Sequence, residues 1–184
     1  MPDDDHALVR AYLGGEVGAF DALLERHRSR VYNTAYRIVG PSEAEDASQE
    51  VFLTVVRKLG GFRYESAFST WLYRVTVNVC TDLLRKRRDL PTEDPPDRPV
   101  ADRTDEVAGA ADVQAALAEV PLEFRVPLVL REVQDLPYNE IAELLGAPVG
   151  TVKSRIHRGR MALARALRGE PAGSSGASHS EEAS

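Results

Sequence analysis

The chain has 184 residues, of which 43% are hydrophobic and 28% charged, and it carries a formal net charge of −6. This composition allows one ordinary domain or two small ones, while the acidic N-terminus MPDDDHALVR differs from a signal peptide. No stretch approaches the roughly 18 consecutive apolar residues of a membrane helix, so we predict no membrane insertion. The single cysteine, Cys80, excludes an internal disulfide, which fits a protein of the reducing cytoplasm. The four histidines show no ligand spacing, so no metal or other cofactor is predicted.

The charge is distributed unevenly along the chain. Between Asp89 and Asp112 eight acidic residues stand against two arginines, whereas residues 148–168 carry six lysines and arginines and no acid. Charge separated in this way is typical of surfaces that meet different partners. The net negative charge therefore does not exclude a segment near the C-terminus that binds nucleic acid.

Three amphipathic helices are predicted in the first half of the chain. The first has an apolar stripe at helical spacing and ends at Gly40-Pro41; its members are Phe20, Leu24, Val31, Ala35 and Ile38. Ser42 and Glu45 have the spacing of a capping box for the second helix, which ends at Gly60-Gly61. The third ends in the basic run Arg85–Arg88. Their apolar stripes predict a compact bundle.

Residues 89–111 are rich in proline and acid and poor in large apolar side chains. Such a segment cannot bury enough surface to offset its ordering entropy, so we predict a flexible acidic linker. It divides the chain into domains at residues 1–88 and 112–168, and the small, polar residues 169–184 are predicted to form a disordered tail. The predicted fold is all-α, with two small helical domains joined by the linker.

The second half is predicted to be helical as well. Apolar residues at helical spacing predict one helix around Val113–Val120 and a following helix that Pro127 is expected to kink. Beyond them, a short helix with an apolar face leads to Gly146, and Pro148 stands at the start of a second helix. This layout is typical of a helix-turn-helix.

The second helix of this unit carries the most informative pattern. With Val152 and Ile156 directed inward, its outward face carries the polar and basic residues Lys153, Ser154, His157 and Arg158. Lysine and arginine there can reach guanine acceptors or phosphates. A solvated basic face explains most charge runs, but here the glycine turn and the absence of acids coincide with it. Contact with DNA is therefore the favoured interpretation.

Other polar features are ambiguous when each is considered alone. The run Arg85–Arg88 complements a helix dipole whether or not it binds phosphate. A lone tryptophan such as Trp71 is more often a core residue than a base-stacking one, and a lone helical asparagine such as Asn78 is usually only solvated. His27 beside Glu25 is predicted to be a surface pair. No nucleophile–base pair, phosphate loop or paired carboxylates can be identified, so no enzymatic activity is predicted.

Taken together, the motifs resemble the extracytoplasmic-function group of the sigma-70 family from about Ala19 to Leu167. The stretches that carry the resemblance are DASQEVFLTVVRKLGGFR, SAFSTWLYRVTVNVCTDLLRKRR, VPLEFRVPLVLREVQDLPYNEIAELLG and PVGTVKSRIHRGR. The resemblance implies a sigma factor that binds core RNA polymerase, recognises promoter DNA and is held in check by an anti-sigma factor, within a stress or envelope-signal response.

The resemblance also implies roles for individual residues. It assigns docking on the polymerase to Asp46, Gln49 and Glu50, and major-groove contact at the −35 element to Lys153, Ser154, Arg155, His157 and Arg158. The loop from Phe62 to Phe68 matches the family's base-capturing loop for the −10 element. The residues implied in −10 recognition are Phe62, Arg63, Ser66, Phe68, Trp71, Asn78, Arg85 and Lys86.

Two alternatives remain open from the residues themselves. A stand-alone helix-turn-helix regulator would explain residues 121–168 but would leave the N-terminal motifs without a role. An interaction module that titrates a partner protein would leave the DNA-facing helix without one. Binding to core polymerase separates the first alternative from a sigma factor, and the effect of replacing Lys153 and Arg158 on transcription separates the second.

Overall fold

A computed structural model describes residues 2–89 and 105–170 of the chain, and within these ranges it contains helices and no strands. The helices are α1 (Pro2–Leu13), α2 (Val17–Val39), α3 (Ala44–Lys58), α4 (Phe68–Asp89), α5 (Asp105–Glu119), α6 (Leu122–Glu132), α7 (Tyr138–Leu145) and α8 (Val149–Leu167), with a short 3₁₀ turn at Leu59–Gly61. The predicted all-helical fold is confirmed. None of the described helices is long and apolar enough to cross a membrane.

The three predicted N-terminal helices correspond to α2, α3 and α4. Gly40 ends α2 with φ of 96°, a backbone conformation that L side chains rarely adopt. The predicted capping box is wrong: α3 begins at Ala44, its N-cap is Glu43, and no side chain caps it. Because the chain makes a turn through residues 41–43, the helix starts one residue later than a cap at Ser42 requires.

Helix α1 was not predicted from the sequence. It packs against α2, and its Val9 is fully buried. Val9 belongs to a core that lies within the N-terminal half, together with Leu23, Val31, Val51, Val55, Leu59, Phe62, Phe68, Leu72 and Val75. The N-terminal bundle therefore has four helices rather than three.

The C-terminal unit contains the predicted helix-turn-helix, formed by α7 and α8. Gly146 ends α7 in the left-handed region, with φ of 60°, so the glycine permits the turn that was expected there. Pro127 lies buried inside α6, which continues past it to Glu132. A second glycine, Gly159, determines how closely α8 packs against α6. A Cβ at this position would lie 2.9 Å from the Phe124 carbonyl oxygen, so the two helices can approach this closely only because residue 159 has no side chain.

Helix α5 begins at Asp105, seven residues before the predicted domain start at 112. Most of the predicted linker, residues 90–104, and most of the predicted tail, residues 171–184, lie outside the described residues. The two domain boundaries remain predictions.

The two halves also pack against each other. One hydrophobic core contains residues from both, including Ile38, Tyr73 and Cys80 from the N-terminal half with Leu128 and Ile141 from the C-terminal half. Hydrogen bonds supplement this contact. The Tyr73 hydroxyl donates to Gln134 Oε1 at 2.7 Å, Arg125 Nη1 donates to the Ile38 carbonyl at 2.7 Å, and Gln114 Nε2 donates to the Tyr36 carbonyl at 2.9 Å.

Candidate nucleic-acid interface

The outward face of α8 is exposed over its first two turns. Lys153, Ser154, His157 and Arg158 are exposed, whereas Val152 and Ile156 are buried against the rest of the unit. Arg155, also expected to contact DNA, is half-buried. The arrangement therefore presents two cations, a hydroxyl and an imidazole on one side of a rigid helix, which is the chemistry that reads base edges and phosphates.

Neighbouring side chains fix part of this face. The Lys153 ammonium lies 5.6 Å from the centre of the Tyr138 ring, within cation–π range, so the ring of α7 supports a cation of α8. Ser154 Oγ donates to the Thr151 carbonyl at 2.9 Å. Arg160 forms an ion pair with Glu132 at 2.5 Å, so the acid-free run of the sequence meets an acid from α6.

A second candidate surface is a cleft between α3 and α4, with a volume of about 730 Å³. From α4 it is lined by Trp71, Asn78 and Lys86, which were all expected to contact the −10 element. From α3 it is lined by Asp46 and Glu50, which were expected to dock on polymerase. The structure therefore places two sets of residues with different expected roles on opposite walls of one groove.

The loop that precedes α4 divides its residues between core and surface. Phe62 and Phe68 are buried, 6% and 2% exposed, and their rings lie 5.8 Å apart in an edge-to-face arrangement. Arg63 and Ser66 are exposed. The structure thus offers Arg63 and Ser66 to a ligand, while both phenylalanines are covered in this conformation.

The basic run at the end of α4 is partly neutralised by acids. Arg87 pairs with Glu43 at 3.5 Å, and Arg85 lies 3.9 Å from Asp82. Both pairs are exposed, and such pairs contribute little to stability and are easily exchanged for another anion. Arg85 and Lys86 are exposed, as contact with phosphate requires.

Two exposed apolar residues on α3 extend the face that was expected to dock on polymerase. Leu53 is 57% and Val56 43% exposed, and their spacing from Gln49 places all three on one side of the helix. Exposed apolar groups grouped in this way mark interaction surfaces. Sequence reasoning missed them, although both residues fall out of phase with the buried stripe at Ala47, Val51 and Val55.

His27 was expected at the surface, and that prediction is wrong. It is 3% exposed, its Nε2 lies 2.9 Å from Asp5 Oδ2, and its ring stands 5.4 Å from that of Phe68. Burial lowers the pKa of the imidazole, and the Asp5 carboxylate opposes that shift without cancelling it. The unpredicted helix α1 supplies Asp5, which explains why the sequence pattern around His27 alone was misleading.

Comparison with known proteins places both halves in one family. Residues 23–89 match the family described as Sigma-70 region 2, and residues 110–163 match Sigma-70, region 4. The first match covers α3, α4, the loop and most of α2, and the second covers α7 and most of α8. Both candidate surfaces therefore lie within the matched regions.

Curated relatives cover most of the chain. SigM of Mycobacterium tuberculosis, an ECF RNA polymerase sigma factor, is 42% identical over 89% of this chain and 84% of its own length. The ECF RNA polymerase sigma-E factor of Escherichia coli K12 is 31% identical over 86% of this chain and 92% of its own length. The structure of CnrH in complex with the cytosolic domain of CnrY superposes with a TM-score of 0.70 at 25% identity, covering 91% of this chain and 99% of that one. The chain therefore belongs to the extracytoplasmic-function sigma factors of the sigma-70 family, which bind core RNA polymerase and direct it to promoters.

Proposed function

We propose that α8 reads the −35 element in the major groove through Lys153, Ser154, Arg155, His157 and Arg158. The observation that carries this assignment is the exposed basic face of the second helix of a helix-turn-helix, with Val152 and Ile156 buried behind it. Cations on such a face supply both base-edge and phosphate contacts. Arg160 is left out of the proposed contact because, unlike Arg85 and Arg87, it donates two hydrogen bonds to one carboxylate, from Nε and Nη2 to Glu132 Oε1.

The −10 element is assigned to the loop before α4 and to the cleft between α3 and α4. In this proposal the exposed residues Arg63 and Ser66 contact an extruded base, while the buried Phe62 and Phe68 hold the loop from beneath. Trp71, Asn78 and Lys86 line the path of the melted strand along α4, with Arg85 exposed at the end of that helix. Stacking and hydrogen bonds of this kind offset the free energy of unstacking a base.

Docking on core polymerase is assigned to α3, through Asp46 and Glu50 at the edge of the cleft and through Gln49, Leu53 and Val56 beside them. The two exposed apolar groups provide buried area in a complex, and the acids provide charge complementarity to a basic partner. A protein that acts by binding in this way needs no catalytic residue of its own, so the chain is proposed to be a non-enzymatic initiation factor in the cytoplasm.

The packed arrangement of the two halves has to open on a promoter. Elements centred near −35 and −10 lie roughly 80 Å apart along duplex DNA that rises about 3.4 Å per base pair. Halves that share one core cannot contact both elements at once, so in this proposal the two halves separate when the protein binds a promoter. We assign residues 1–88 and 112–168 to the two domains that separate.

A regulatory protein partner is also proposed. CnrH, a similar chain, was solved in complex with the cytosolic domain of CnrY. By similarity, this chain is proposed to bind an anti-sigma factor that controls its access to polymerase, within a stress or envelope-signal response. Co-purification of the chain with a protein that blocks its binding to core polymerase would support this assignment, and a transcriptional activity unaffected by any such partner would count against it.

The test of the central proposal is run-off transcription with core polymerase across a promoter library. The full chain is expected to select a common pair of −35 and −10 sequences, and the double variant Lys153→Ala/Arg158→Ala is expected to lose most of that activity. Arg160→Ala is the matched control on the same helix, because its guanidinium is already paired. Binding to operator DNA without core polymerase would instead favour a stand-alone regulator, and unchanged transcription by the double variant would favour an interaction module.

A further inference from the structure

The loop before α4 contains a strained residue. Tyr64 has φ of 59°, in the left-handed region that a bulky side chain rarely occupies. Such a conformation persists only where the surroundings hold it, and it is concentrated at functional sites. The neighbours of Tyr64 therefore decide the shape of the loop.

Helix α1 supplies two of those neighbours. The His6 ring stands perpendicular to the Tyr64 ring with centroids 5.3 Å apart, and the Arg10 guanidinium lies 5.8 Å from the centre of the same ring. On its other side Tyr64 contacts the buried ring of Phe62 at 4.9 Å. The tyrosine is thus enclosed by the loop's own aromatic residue and by two residues from the start of the chain.

His6 also contacts the loop at two further points. Its Nε2 lies 3.2 Å from the Ser66 carbonyl oxygen, within hydrogen-bond range, and its ring lies 5.6 Å from that of Phe62. A single side chain therefore contacts the beginning, the middle and the later part of the loop. This is the position from which one residue can fix the path of the backbone between Phe62 and Ser66.

Helix α1 is itself anchored, so these contacts start from a fixed point. Asp5 Oδ2 meets the buried His27 of α2 at 2.9 Å, and Asp5 Oδ1 accepts a hydrogen bond from Arg26 Nη1 at 2.8 Å. Arg26 also pairs with Asp4. We call these contacts of Asp4 and Asp5 with Arg26 and His27 the clip between α1 and α2. Together with the buried Val9 they hold α1 against α2, and His6 and Arg10 then face the loop.

We propose that α1 sets the conformation of the base-capturing loop, and that His6 and Arg10 are positioning residues for base selection at the −10 element. The inference rests on the proposed −10 role of the loop and extends it to a helix outside the matched region 2, which begins at residue 23. His6 and Arg10 act through Tyr64 and the Ser66 backbone, so they influence which base the loop accepts without touching that base.

The experiment measures binding of the holoenzyme, formed from core polymerase and the full chain, to single-stranded −10 oligonucleotides. The oligonucleotides carry each of the four bases in turn at each position of the element that the promoter library identifies. The readout is the affinity ratio between the best and the other bases. His6→Ala and Arg10→Ala are expected to lower this ratio roughly three- to tenfold, the size of effect that contacting residues exert on one another. Arg28→Ala is the matched control, because the Arg28 side chain is exposed and makes no ion pair or hydrogen bond to the other described residues.

Conservative variants separate positioning from stability. His6→Gln keeps a donor for the Ser66 carbonyl, and His6→Phe keeps the ring contacts, so each is expected to restore part of the ratio. Tyr64→Asn keeps a residue that tolerates the left-handed region and removes the ring. The double variant His6→Ala/Tyr64→Asn is expected to lower the ratio by less than the product of the two single effects, because both changes remove the contact between the two rings.

Each outcome separates this inference from the proposed function. If the unmodified holoenzyme discriminates between bases and His6→Ala discriminates equally well, the positioning role is overturned while the −10 role of the loop stands. If His6→Ala weakens the binding of all four oligonucleotides equally, so that the affinity ratio is unchanged, α1 has only a structural role and the inference also fails. If the unmodified holoenzyme shows no base preference, the proposed −10 role itself is overturned, and the inference with it.

Discussion

The two surfaces proposed to contact DNA in this sigma factor are constructed differently. The −35 surface is one side of a regular helix, with Lys153, His157 and Arg158 exposed in register on α8. The −10 surface is assembled from four segments, since α1 contacts the loop and α3 and α4 form the walls of the cleft. A surface on one helix tolerates the loss of single contacts, whereas an assembled surface depends on the elements that hold it in shape.

The largest effect is expected from changing what holds α8 in place. In Gly159→Ala the new Cβ would lie 2.9 Å from the Phe124 carbonyl oxygen, a backbone atom that cannot turn away. We expect a loss of stability at the upper end of the roughly 1–3 kcal/mol that overpacking costs. Urea denaturation measures it. Gly150→Ala is the matched control on the same helix, where a Cβ meets nothing within 4 Å, and there we expect a gain of about 0.5–1 kcal/mol. Equal effects at both positions would refute the close approach of α8 to α6.

The corresponding change in the N-terminal bundle is the loss of the clip between α1 and α2. Asp5→Ala leaves the buried His27 without its partner, and we expect a loss of about 2 kcal/mol, within the range for an unsatisfied buried polar group. Thermal and urea denaturation at neutral pH measure this loss. The matched control is Glu25→Ala. Glu25 is an exposed acid on α2, the helix that carries His27, and its replacement is expected to change the stability little.

The clip also gives stability a dependence on pH. Burial lowers the pKa of His27 below its ordinary value of 6.5, so below that value the unfolded chain binds a proton that the folded chain does not. Stability is therefore fully present above about pH 6.5 and falls as the pH drops towards the folded pKa. Asp5→Asn removes the carboxylate that opposes the shift, so it should make the loss on acidification larger, while His27→Gln should remove this contribution. A pH dependence identical in all three chains would contradict the assignment.

A smaller effect is expected from removing one contact of the −35 surface. Lys153→Ala should weaken duplex promoter binding by about 1–3 kcal/mol if the ammonium contacts a base, and should reduce the salt slope by roughly one unit if it contacts phosphate. Fluorescence anisotropy with the holoenzyme across a salt series measures both quantities. Arg160→Ala on the same helix is expected to change neither. Unchanged affinity and slope for Lys153→Ala would remove that residue from the interface.

The smallest effect concerns the contact between the halves. Tyr73→Phe removes the hydrogen bond from its hydroxyl to Gln134, which we expect to stabilise the packed state by about 1 kcal/mol. Burial raises the pKa of the Cys80 thiol to about 12, and this cysteine lies in the core that both halves share, so its alkylation reports opening. We expect the alkylation rate to rise about fivefold in Tyr73→Phe and to stay constant in the control Tyr32→Phe. No change in rate would show that opening does not expose Cys80.

Much of the local structure followed from residue spacing alone. The stripes at Val31, Ala35 and Ile38 and at Val51 and Val55 predicted α2 and α3, and both sets of residues are buried. The Gly146 turn and the outward basic residues predicted the helix-turn-helix. Each of these features depends on residues that lie three to seven positions apart, so its pattern can be read from the sequence alone.

The errors came from contacts between segments that are distant in sequence. His27 was placed at the surface because its partner, Asp5, belongs to a helix that the sequence did not reveal. The burial of Phe62 and Phe68 could not be read from the sequence either, because it depends on packing against α1, α2 and α4; their contact with the −10 element remains a prediction. The capping box is the exception, because its error is local: the chain turns through residues 41–43 before α3 begins at Ala44.

By itself, therefore, the sequence determined the helices with strong apolar stripes, the helix-turn-helix and the exposed basic side of α8, since each is a property of one helix and its periodicity. Only the tertiary structure decided that Glu132 holds Arg160, that Asp46 and Asn78 line one cleft, and that α1 encloses Tyr64. Those arrangements are set by which helix faces become buried together, and that choice depends on the packing of the whole chain.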